Sequence, residues 1–314
     1  MRNWQPLLIV GLIILGIASF QLLTSSITES KEDLNFENEF HSNYKIYALN
    51  QPEKADFAGE NIPLDLIDVR EKLDRELLVN TYWQSQTILF IKRTHRWFPT
   101  IEKILAEEGV PDDFKYLALI ESGLEQTVSP AGATGVWQLM KDAGKEFGLE
   151  INTEVDERYN IEKSTKAACL YLKSAHEKFA SWTLAAASYN MGMTGVSNQL
   201  TRQKATNYFD LVLNDETSRY LYRIMAAKII LSDPVKFGFQ FRPQDLYPEL
   251  KYHEIIVTHE ITDLATFAFQ NGINYKALKY LNPWLRDTHL ANNINKEYAI
   301  KIPSEPLASW LVHD

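Results

Sequence analysis

The sequence predicts a mainly α-helical protein that ends in a small α+β unit. Between Asp65 and Leu231, apolar residues recur at the three- and four-residue spacing of amphipathic helices. Beyond Pro234, two segments of alternating hydrophobicity flank two short helical ones, and this order of strand, helix, helix and strand is typical of a separate small domain. The 314 residues, 45% of them hydrophobic, are enough to build more than one core.

The predicted elements follow one another with clear boundary signals. The first helix carries apolar residues from Leu66 to Leu77, and the second ends before Pro99, whose ring and missing N–H interrupt helices. A third ends at Gly109, which suits a left-handed C-terminal residue, and Pro111 opens the fourth. The remaining predictions are a small-residue loop at 129–135, helices at 164–179, 182–189, 217–231, 263–269 and 275–281, and strands at 252–257 and 298–302.

The N-terminal segment predicts export to the periplasm or cell envelope. Arg2 and Trp4 precede an uncharged apolar run from Leu7 to Leu23, which would span about 25 Å as a helix, near the lower limit for crossing a bilayer core of roughly 30 Å. Two interpretations of residues 1–28 stay open: a cleaved signal peptide, or a retained membrane anchor. Residues 29–62 are acidic and poor in apolar periodicity, which predicts a tether or extended arm.

Composition excludes several classes of function. With 41 acidic and 32 basic residues, the chain offers no basic surface for a phosphate backbone, so nucleic acid is not an expected partner. Cys169 is the only cysteine, and the seven histidines form no His-x-x-x-His pair, so neither a disulfide nor a metal or other cofactor is expected. The expected protein is a monomer that binds neutral, sugar-like ligands.

Glu121 is the most informative residue because it falls on the apolar face of the fourth predicted helix. At helical spacing it shares a stripe with Phe114, Leu117, Ala118 and Leu124. A carboxyl group buried in that stripe would keep its proton above its ordinary pKa, as a general acid at neutral pH requires. The alternative from periodicity alone is a glutamate at the edge of the stripe that reaches water or pairs with an arginine.

Three ordered motifs give this glutamate a context: Ile120-Glu-Ser-Gly123, then Gly132-Ala-Thr-Gly-Val-Trp-Gln-Leu-Met140, then Ala185-Ala-Ala-Ser-Tyr-Asn-Met-Gly192. Together they resemble the motifs of the goose-type-lysozyme-like lytic transglycosylases, the SLT superfamily, which cleave bacterial peptidoglycan. Within that family the chain resembles the membrane-bound murein transglycosylase D type. The resemblance runs from about Pro63 to Ser232, including 155–159 and 216–220, and implies a lysozyme-like helical catalytic domain at 63–243.

The resemblance implies a role for each matching residue. Glu121 would be the sole catalytic acid and base, and Ser122 would hydrogen-bond near it. Gln138 and Met140 would line the substrate groove, whereas Tyr189 and Asn190 would face Glu121 from a neighbouring helix.

Two further residues, in or beside the glycine loop, are candidates for substrate contact: Ser129 and Trp137. A protonated Glu121 would supply a partner for the buried Tyr189 hydroxyl. From the residues alone, plainer alternatives stay open: Trp137 as a core residue, Ser122 as a solvated helix residue, Met140 as core filling, Asn190 as a helix C-terminal residue, and Asp156 with Arg158 as a structural salt bridge.

The implied reaction uses one carboxylate twice. In the family, the glutamate protonates the bond between N-acetylmuramic acid and N-acetylglucosamine and then deprotonates the C6 hydroxyl, which closes a 1,6-anhydro ring without water. A hydrolytic muramidase would instead need a second carboxylate, for which Glu125, Asp142 and Asp156 are candidates. A non-catalytic peptidoglycan-binding protein is another alternative, although a protein that only binds the strand gains nothing from a costly buried carboxylate.

The C-terminal unit, residues 250–306, resembles a LysM module, a small β-α-α-β fold that binds N-acetylglucosamine chains. Leu281-Asn-Pro283 and the closing strand match that family, but the usual Gly-Asp pair is missing around His259 to Thr262. Because that loop contributes to the sugar groove, the expectation is a degenerate module whose fold is kept and whose glycan binding stays open.

Overall fold

The computed structural model describes residues 46–304, and helices dominate this part of the chain. The predicted segment 1–28 and most of the predicted arm lie outside the described residues. The elements are β1 (Asp56–Phe57), β2 (Glu60–Asn61), α1 (Ile67–Tyr82), α2 (Gln84–Glu108), α3 (Lys115–Ser122), α4 (Lys141–Glu146), α5 (Ile161–Phe179), α6 (Trp182–Met191), α7 (Met193–Gln203), α8 (Asp215–Ser232), β3 (Tyr252–Val257), α9 (Leu264–Gln270), α10 (Tyr275–Leu281) and β4 (Tyr298–Pro303).

The predicted break at Pro99 is wrong, because α2 continues through it to Glu108. A proline in a helix removes its own N–H and crowds the carbonyl four residues earlier, but burial on both sides can keep the helix continuous. Phe90 and Ile91 before the proline and Ile104 after it are all buried in the same core. The end of the helix is as predicted, since Gly109 is left-handed with φ of 67°.

The helix that carries Glu121 is shorter than the apolar spacing of its sequence predicts. Residues Asp112–Phe114 form one 3₁₀ turn, and the α-helical part, α3, ends at Gly123 with φ of 62°. Leu124 therefore lies beyond the helix, although it is buried with the rest of the stripe. Two short helices, α4 and α7, were missed because few of their residues are buried: Gly144 in α4 and Val196 in α7.

The end of the predicted arm differs from expectation. Strands β1 and β2 form a small antiparallel hairpin. Phe57 in this hairpin is fully buried, and its ring packs edge-on against Phe114 at 5.1 Å. The backbone N–H of Ala58 also donates to Asp113 Oδ2 at 2.6 Å. A buried aromatic ring and a backbone hydrogen bond thus help to fix a segment whose composition resembles a tether.

One large core holds the helical part together and positions Glu121. Helix α8 packs against α1, α3 and α6, while α2 packs against α3 and α5. Helix α3 is therefore held between α2 and α8. None of the helices within residues 46–304 is long and apolar enough to span a bilayer.

The C-terminal unit has the predicted β-α-α-β order. Strands β3 and β4 pair antiparallel, with Tyr252 opposite Pro303 and Val257 opposite Tyr298. A second core forms around this sheet, and it includes Val155 and Tyr159 from the helical part. From Leu49 onward the described chain belongs to a single unit.

Backbone hydrogen bonds strengthen this junction. The N–H of Arg286 donates to the carbonyl of Glu154 at 2.7 Å, and the N–H of Asp156 donates to the carbonyl of Trp284 at 2.9 Å. The Tyr298 hydroxyl donates to the Glu150 carboxylate at 3.0 Å. The predicted domain limits of 63–243 and 250–306 stay a prediction.

Candidate active site

Glu121 lies in the last turn of α3, where the apolar stripe meets the surface. Phe114, Leu117 and Ala118 behind it are fully buried, whereas Glu121 itself is half-buried. The Tyr220 hydroxyl, from the buried face of α8, donates a short hydrogen bond to Glu121 Oε1. The carboxyl group therefore accepts a hydrogen bond from a buried donor on one side, while the side chain stays partly exposed to solvent.

Burial raises the pKa of the Glu121 carboxyl group above its ordinary value of 4.5. The Tyr220 hydrogen bond and the positive charge of Arg223 lower this pKa, and the negative charge of Glu216 raises it, but desolvation is the largest cause. The net shift is upward. A carboxyl group that keeps its proton at higher pH can act as a general acid.

Tyr220, and not Tyr189, contacts the carboxyl group of Glu121. The Tyr189 hydroxyl, expected to bond Glu121, donates instead to the backbone carbonyl of Trp137 at 2.8 Å. Tyr189 still lies near Glu121, whose charge raises the tyrosine pKa after the larger effect of burial. Sequence reasoning missed Tyr220 because 99 residues separate it from Glu121. The one available signal was the motif 216–220, noted without a role for its tyrosine.

Trp137 is part of the core. Its side chain has no exposed surface, and its indole N–H donates to Thr165 Oγ1 in α5 at 2.8 Å. This burial contradicts the expected contact of the ring with substrate. Val136 and Leu139 on either side of it are buried as well, so this segment after the small-residue loop enters the core together with the indole ring.

Three candidate residues brace the glycine loop at 129–135. The Ser122 hydroxyl donates to the Val136 carbonyl at 2.7 Å, and Ser129 Oγ accepts from the Ala133 N–H at 3.0 Å. Gln138, in a left-handed conformation with φ of 47°, donates from its side-chain nitrogen to the Gly135 carbonyl at 2.9 Å. These bonds fix the loop beside the end of α3.

Met140 is an exposed candidate residue, whereas Asn190 is a hydrogen-bonded one. Met140 is 47% exposed, so it does not fill the core. Asn190, in the last turn of α6, accepts from Thr217 Oγ1 at 2.7 Å and donates to Glu216 Oε1 at 3.2 Å. The amide therefore ties α6 to the start of α8, the helix that carries Tyr220.

The predicted structural salt bridge between Asp156 and Arg158 is confirmed, with a distance of 2.7 Å. Arg158 also donates to the carbonyls of Gly132 at 3.1 Å and Leu139 at 3.2 Å, so it supports the glycine loop from below. Gly135 passes so close that an added Cβ would lie 2.1 Å from the Arg158 carbonyl oxygen. Only glycine fits at this position.

The three candidate second carboxylates are placed elsewhere. Glu125 pairs with Arg93 at 2.5 Å, Asp156 pairs with Arg158, and Asp142 is exposed in the first turn of α4. The carboxylate whose charge reaches Glu121 is Glu216, which is exposed. In the described part of the chain, no three His, Cys, Asp or Glu side chains cluster as a metal site would need.

Comparisons with known proteins match two segments of the chain to families. Residues 99–212 match the transglycosylase SLT domain family, and residues 253–306 match the soluble lytic transglycosylase C-terminal LysM-like domain family. The chain is 24% identical over 243 residues to membrane-bound lytic murein transglycosylase D of Escherichia coli (strain K12), which covers 74% of this chain and 52% of the relative. The chain thus spans about half the length of that curated relative.

Two weaker similarities were also found. A putative tributyltin chloride resistance protein of Alteromonas sp. (strain M-1) is 31% identical over 88 residues, 27% of this chain and 42% of that protein. The solved structure of an inactive mutant of the lytic transglycosylase Slt from Pseudomonas aeruginosa is 20% identical, with a TM-score of 0.38, and covers 48% of this chain and 26% of that one. The two family matches assign residues 99–212 to a transglycosylase SLT domain and residues 253–306 to a LysM-like domain of the type found at the C-terminus of soluble lytic transglycosylases.

Proposed function

We propose that this protein is a peptidoglycan lytic transglycosylase that cleaves the β-1,4 bond between N-acetylmuramic acid and N-acetylglucosamine without water. The observation that carries the proposal is the half-buried Glu121 carboxyl group, whose pKa is raised by burial and which accepts a hydrogen bond from Tyr220. The match of residues 99–212 to the transglycosylase SLT domain supports it. No cofactor takes part in the proposed reaction.

The proposed reaction has two proton transfers. Protonated Glu121 gives its proton to the glycosidic oxygen, the C1–O bond breaks with its electron pair on that oxygen, and the acetamido carbonyl of the substrate stabilises C1. The Glu121 carboxylate then takes the proton of the C6 hydroxyl, whose oxygen bonds to C1. The glutamate ends protonated, and the product is a 1,6-anhydro sugar. A single carboxyl group whose pKa is raised from its ordinary value suits both roles.

Tyr220 and Arg223 are placed to stabilise the ionised form of Glu121 that exists between the two proton transfers. When Glu121 has lost its proton, the Tyr220 hydroxyl and the nearby positive charge stabilise the carboxylate, because both lower the pKa of the group. Burial has the opposite effect and favours the protonated state. The balance keeps both states of Glu121 accessible during the reaction.

Replacing Glu121 tests this role. Glu121→Gln keeps the size of the side chain but has no proton to give, so murein cleavage should fall by roughly 100-fold to 10,000-fold. Release of soluble fragments from purified sacculi measures the loss. Normal turnover by this variant would contradict the proposal, and absence of cleavage by the wild-type protein in a murein-loaded gel would favour a non-catalytic peptidoglycan-binding protein.

Glu216 provides the matched variant that separates lyase from hydrolase. A hydrolytic muramidase needs a second carboxylate, and Glu216 is the one whose charge reaches Glu121. Glu216→Gln should retain most cleavage if one carboxyl group serves twice. Mass spectrometry should then show fragments lighter by one water than hydrolysis gives. Reducing-end sugars, together with loss of activity in Glu216→Gln, would assign a muramidase instead.

The proposed place of action is the cell envelope, with peptidoglycan strands as the partner of a monomeric protein. The apolar run from Leu7 to Leu23 and the similarity to the membrane-bound E. coli transglycosylase support this location. Cell fractionation tests retention in the membrane against release. Sedimentation of the full chain with purified sacculi tests the binding of peptidoglycan strands.

A further inference from the structure

A cavity of about 1030 Å³ lies between the helical part and the LysM-like domain. One wall comes from α2, from the start of α5 and from residues 124–127, which follow Glu121 closely in the chain. The other wall comes from α10 and from the outer ends of β3 and β4. The loop before α9, where the LysM-like sequence departs from its family, does not line the cavity.

Most of the charged side chains around the cavity are already hydrogen-bonded or paired with protein groups. Arg93 pairs with Glu125 at 2.5 Å, and Lys301 pairs with Glu162 at 2.5 Å. The ammonium group of Lys279 donates to two backbone carbonyls, those of Leu285 and Asp287. A ligand therefore does not need a net charge to fit this site.

Two residues that line the cavity each have a buried polar atom without a partner in the described part of the chain: Glu162 Oε2 and Trp284 Nε1. The other oxygen of Glu162 accepts from Lys301 and from the Tyr252 hydroxyl at 3.1 Å, so this side chain is fixed in place. A buried donor or acceptor without a partner is costly, and few survive in a native protein without a reason. One of these atoms needs a donor and the other an acceptor.

Aromatic rings complete the wall. Tyr280 is 48% exposed and Tyr252 is 37% exposed, and both line the cavity together with Trp97. Aromatic faces, one donor and one acceptor without a protein partner, and charged groups that mostly have protein partners match a neutral ligand that has apolar faces and polar edges. Saccharides have this chemistry, since each ring carries C–H faces and hydroxyl or acetamido groups that both donate and accept.

We propose that this cavity is an accessory binding site for the N-acetylated saccharide chain of peptidoglycan. The site is distinct from the catalytic centre, and residues 124–127 connect the two along the chain. The identity of the saccharide rests on the proposed function. The cavity would hold part of the strand beyond the sugars at Glu121 and so favour long strands as substrate.

The first test is a titration of the full chain with the peptide-free tetramer of N-acetylglucosamine, carried out in a Glu121→Gln background so that no cleavage occurs. Glu162→Gln replaces the free oxygen by an amide nitrogen without a change of shape, and Tyr280→Ala removes an exposed ring. Each should weaken binding about tenfold. Tyr275→Ala is the matched control, because Tyr275 lies on the same helix, is 37% exposed and does not line the cavity.

The second test locates the ligand by NMR. The indole N–H signal of Trp284, assigned by its loss in Trp284→Phe, should move downfield at saturating tetramer because the free donor gains a partner. An unchanged signal, with wild-type affinity in Glu162→Gln and Tyr280→Ala, would overturn the proposal. A shift caused by a free stem peptide and not by the tetramer would overturn the saccharide assignment.

Failure of this inference is distinguishable from failure of the proposed function. The titration requires no cleavage, so the Trp284 signal can respond in a protein that fails to cleave murein, and the accessory site would then stand alone. If wild-type protein cleaves murein to anhydro products while the Trp284 signal stays unchanged, the enzyme assignment stands and the accessory site is wrong.

Discussion

At the scale of single residues, Glu121 combines a pKa raised by burial with a side chain that stays partly exposed. The apolar stripe beneath it was readable in the sequence, because helical spacing assigns Phe114, Leu117 and Ala118 to one buried face. Its hydrogen-bond partner was not readable. Tyr220 reaches Glu121 only because α8 packs against α3, and helix packing depends on the whole core.

Removal of the Tyr220 hydroxyl should shift the pH dependence of cleavage. The rate of a reaction that needs protonated Glu121 falls as pH rises through the Glu121 pKa. The Tyr220 bond lowers that pKa, so Tyr220→Phe should raise it and move the falling limb of kcat/KM to higher pH. We also expect about a tenfold lower kcat, because the carboxylate loses a hydrogen bond.

Tyr171→Phe is the control for this pH profile. It removes another largely buried hydroxyl, which donates to the Ser188 carbonyl at 2.6 Å and not to Glu121. Its falling limb should coincide with that of the wild-type protein. A limb that moves to lower pH in Tyr220→Phe would contradict the assigned role of the hydroxyl.

The Glu121 carboxyl group should also destabilise the fold at high pH. Its pKa is raised in the native state, so between the unfolded pKa and the folded pKa the native state holds more protons than the unfolded state. Stability from this group is present below that window and is lost as pH rises through it. Glu121→Gln carries no charge, so its melting temperature should exceed that of the wild-type protein at about pH 8, and the difference should shrink at about pH 5.

Glu107→Gln is the matched control for the melting experiment, because Glu107 is an exposed glutamate of α2. Its difference from the wild-type protein should be small across the same pH range. A wild-type protein more stable than Glu121→Gln at about pH 8 would show that the paired carboxylate, and not the buried acid, dominates at this position.

At the scale of elements, the glycine loop depends on one close backbone contact. An alanine Cβ at position 135 would meet the Arg158 carbonyl at 2.1 Å, and the residue has φ of 80°. Gly135→Ala should therefore lower the free energy of unfolding by about 3 kcal/mol or more, through clash and strain. Gly132 has φ of 88°, but the space around an added Cβ is open. Gly132→Ala should therefore lower the free energy of unfolding by about 1 kcal/mol, through backbone strain alone.

Urea unfolding of the two glycine variants checks this difference. Equal losses of stability would mean that the loop can move away from Arg158. The motif predicted a small-residue loop at 129–135, but the reason for its glycine at 135 lies in Arg158, which the sequence places far downstream. Likewise, Pro99 predicted a break in α2, and burial on both sides of the proline overrode this local preference.

At the scale of the whole molecule, the two cores are joined. Val155 belongs by sequence to the helical part, but it is buried in the core of the LysM-like domain with 1% exposure. Val155→Ala should lower the free energy of unfolding by about 2 kcal/mol. Because the cores share residues and backbone hydrogen bonds, calorimetry should show one transition that moves as a whole.

Val212→Ala is the matched control for this experiment, since Val212 is 78% exposed. Its transition should coincide with that of the wild-type protein. Two separate transitions, of which Val155→Ala moves only one, would mean that the helical part and the LysM-like domain unfold independently and that the junction contributes little stability.

The sequence by itself determined the local elements and the candidate acid. Apolar spacing predicted the main helices and the β-α-α-β unit, with strand β3 and helix α10 at their observed limits. These features depend on residues only a few positions apart, so local sequence patterns are enough to predict them.

Only the tertiary structure decided which distant residues meet. It placed Tyr220 on Glu121, turned Trp137 into the core, and brought Glu162 and Trp284 to one cavity. Each of these contacts joins segments far apart in the chain, and such contacts are selected by the packing of all helices together, which no local pattern contains.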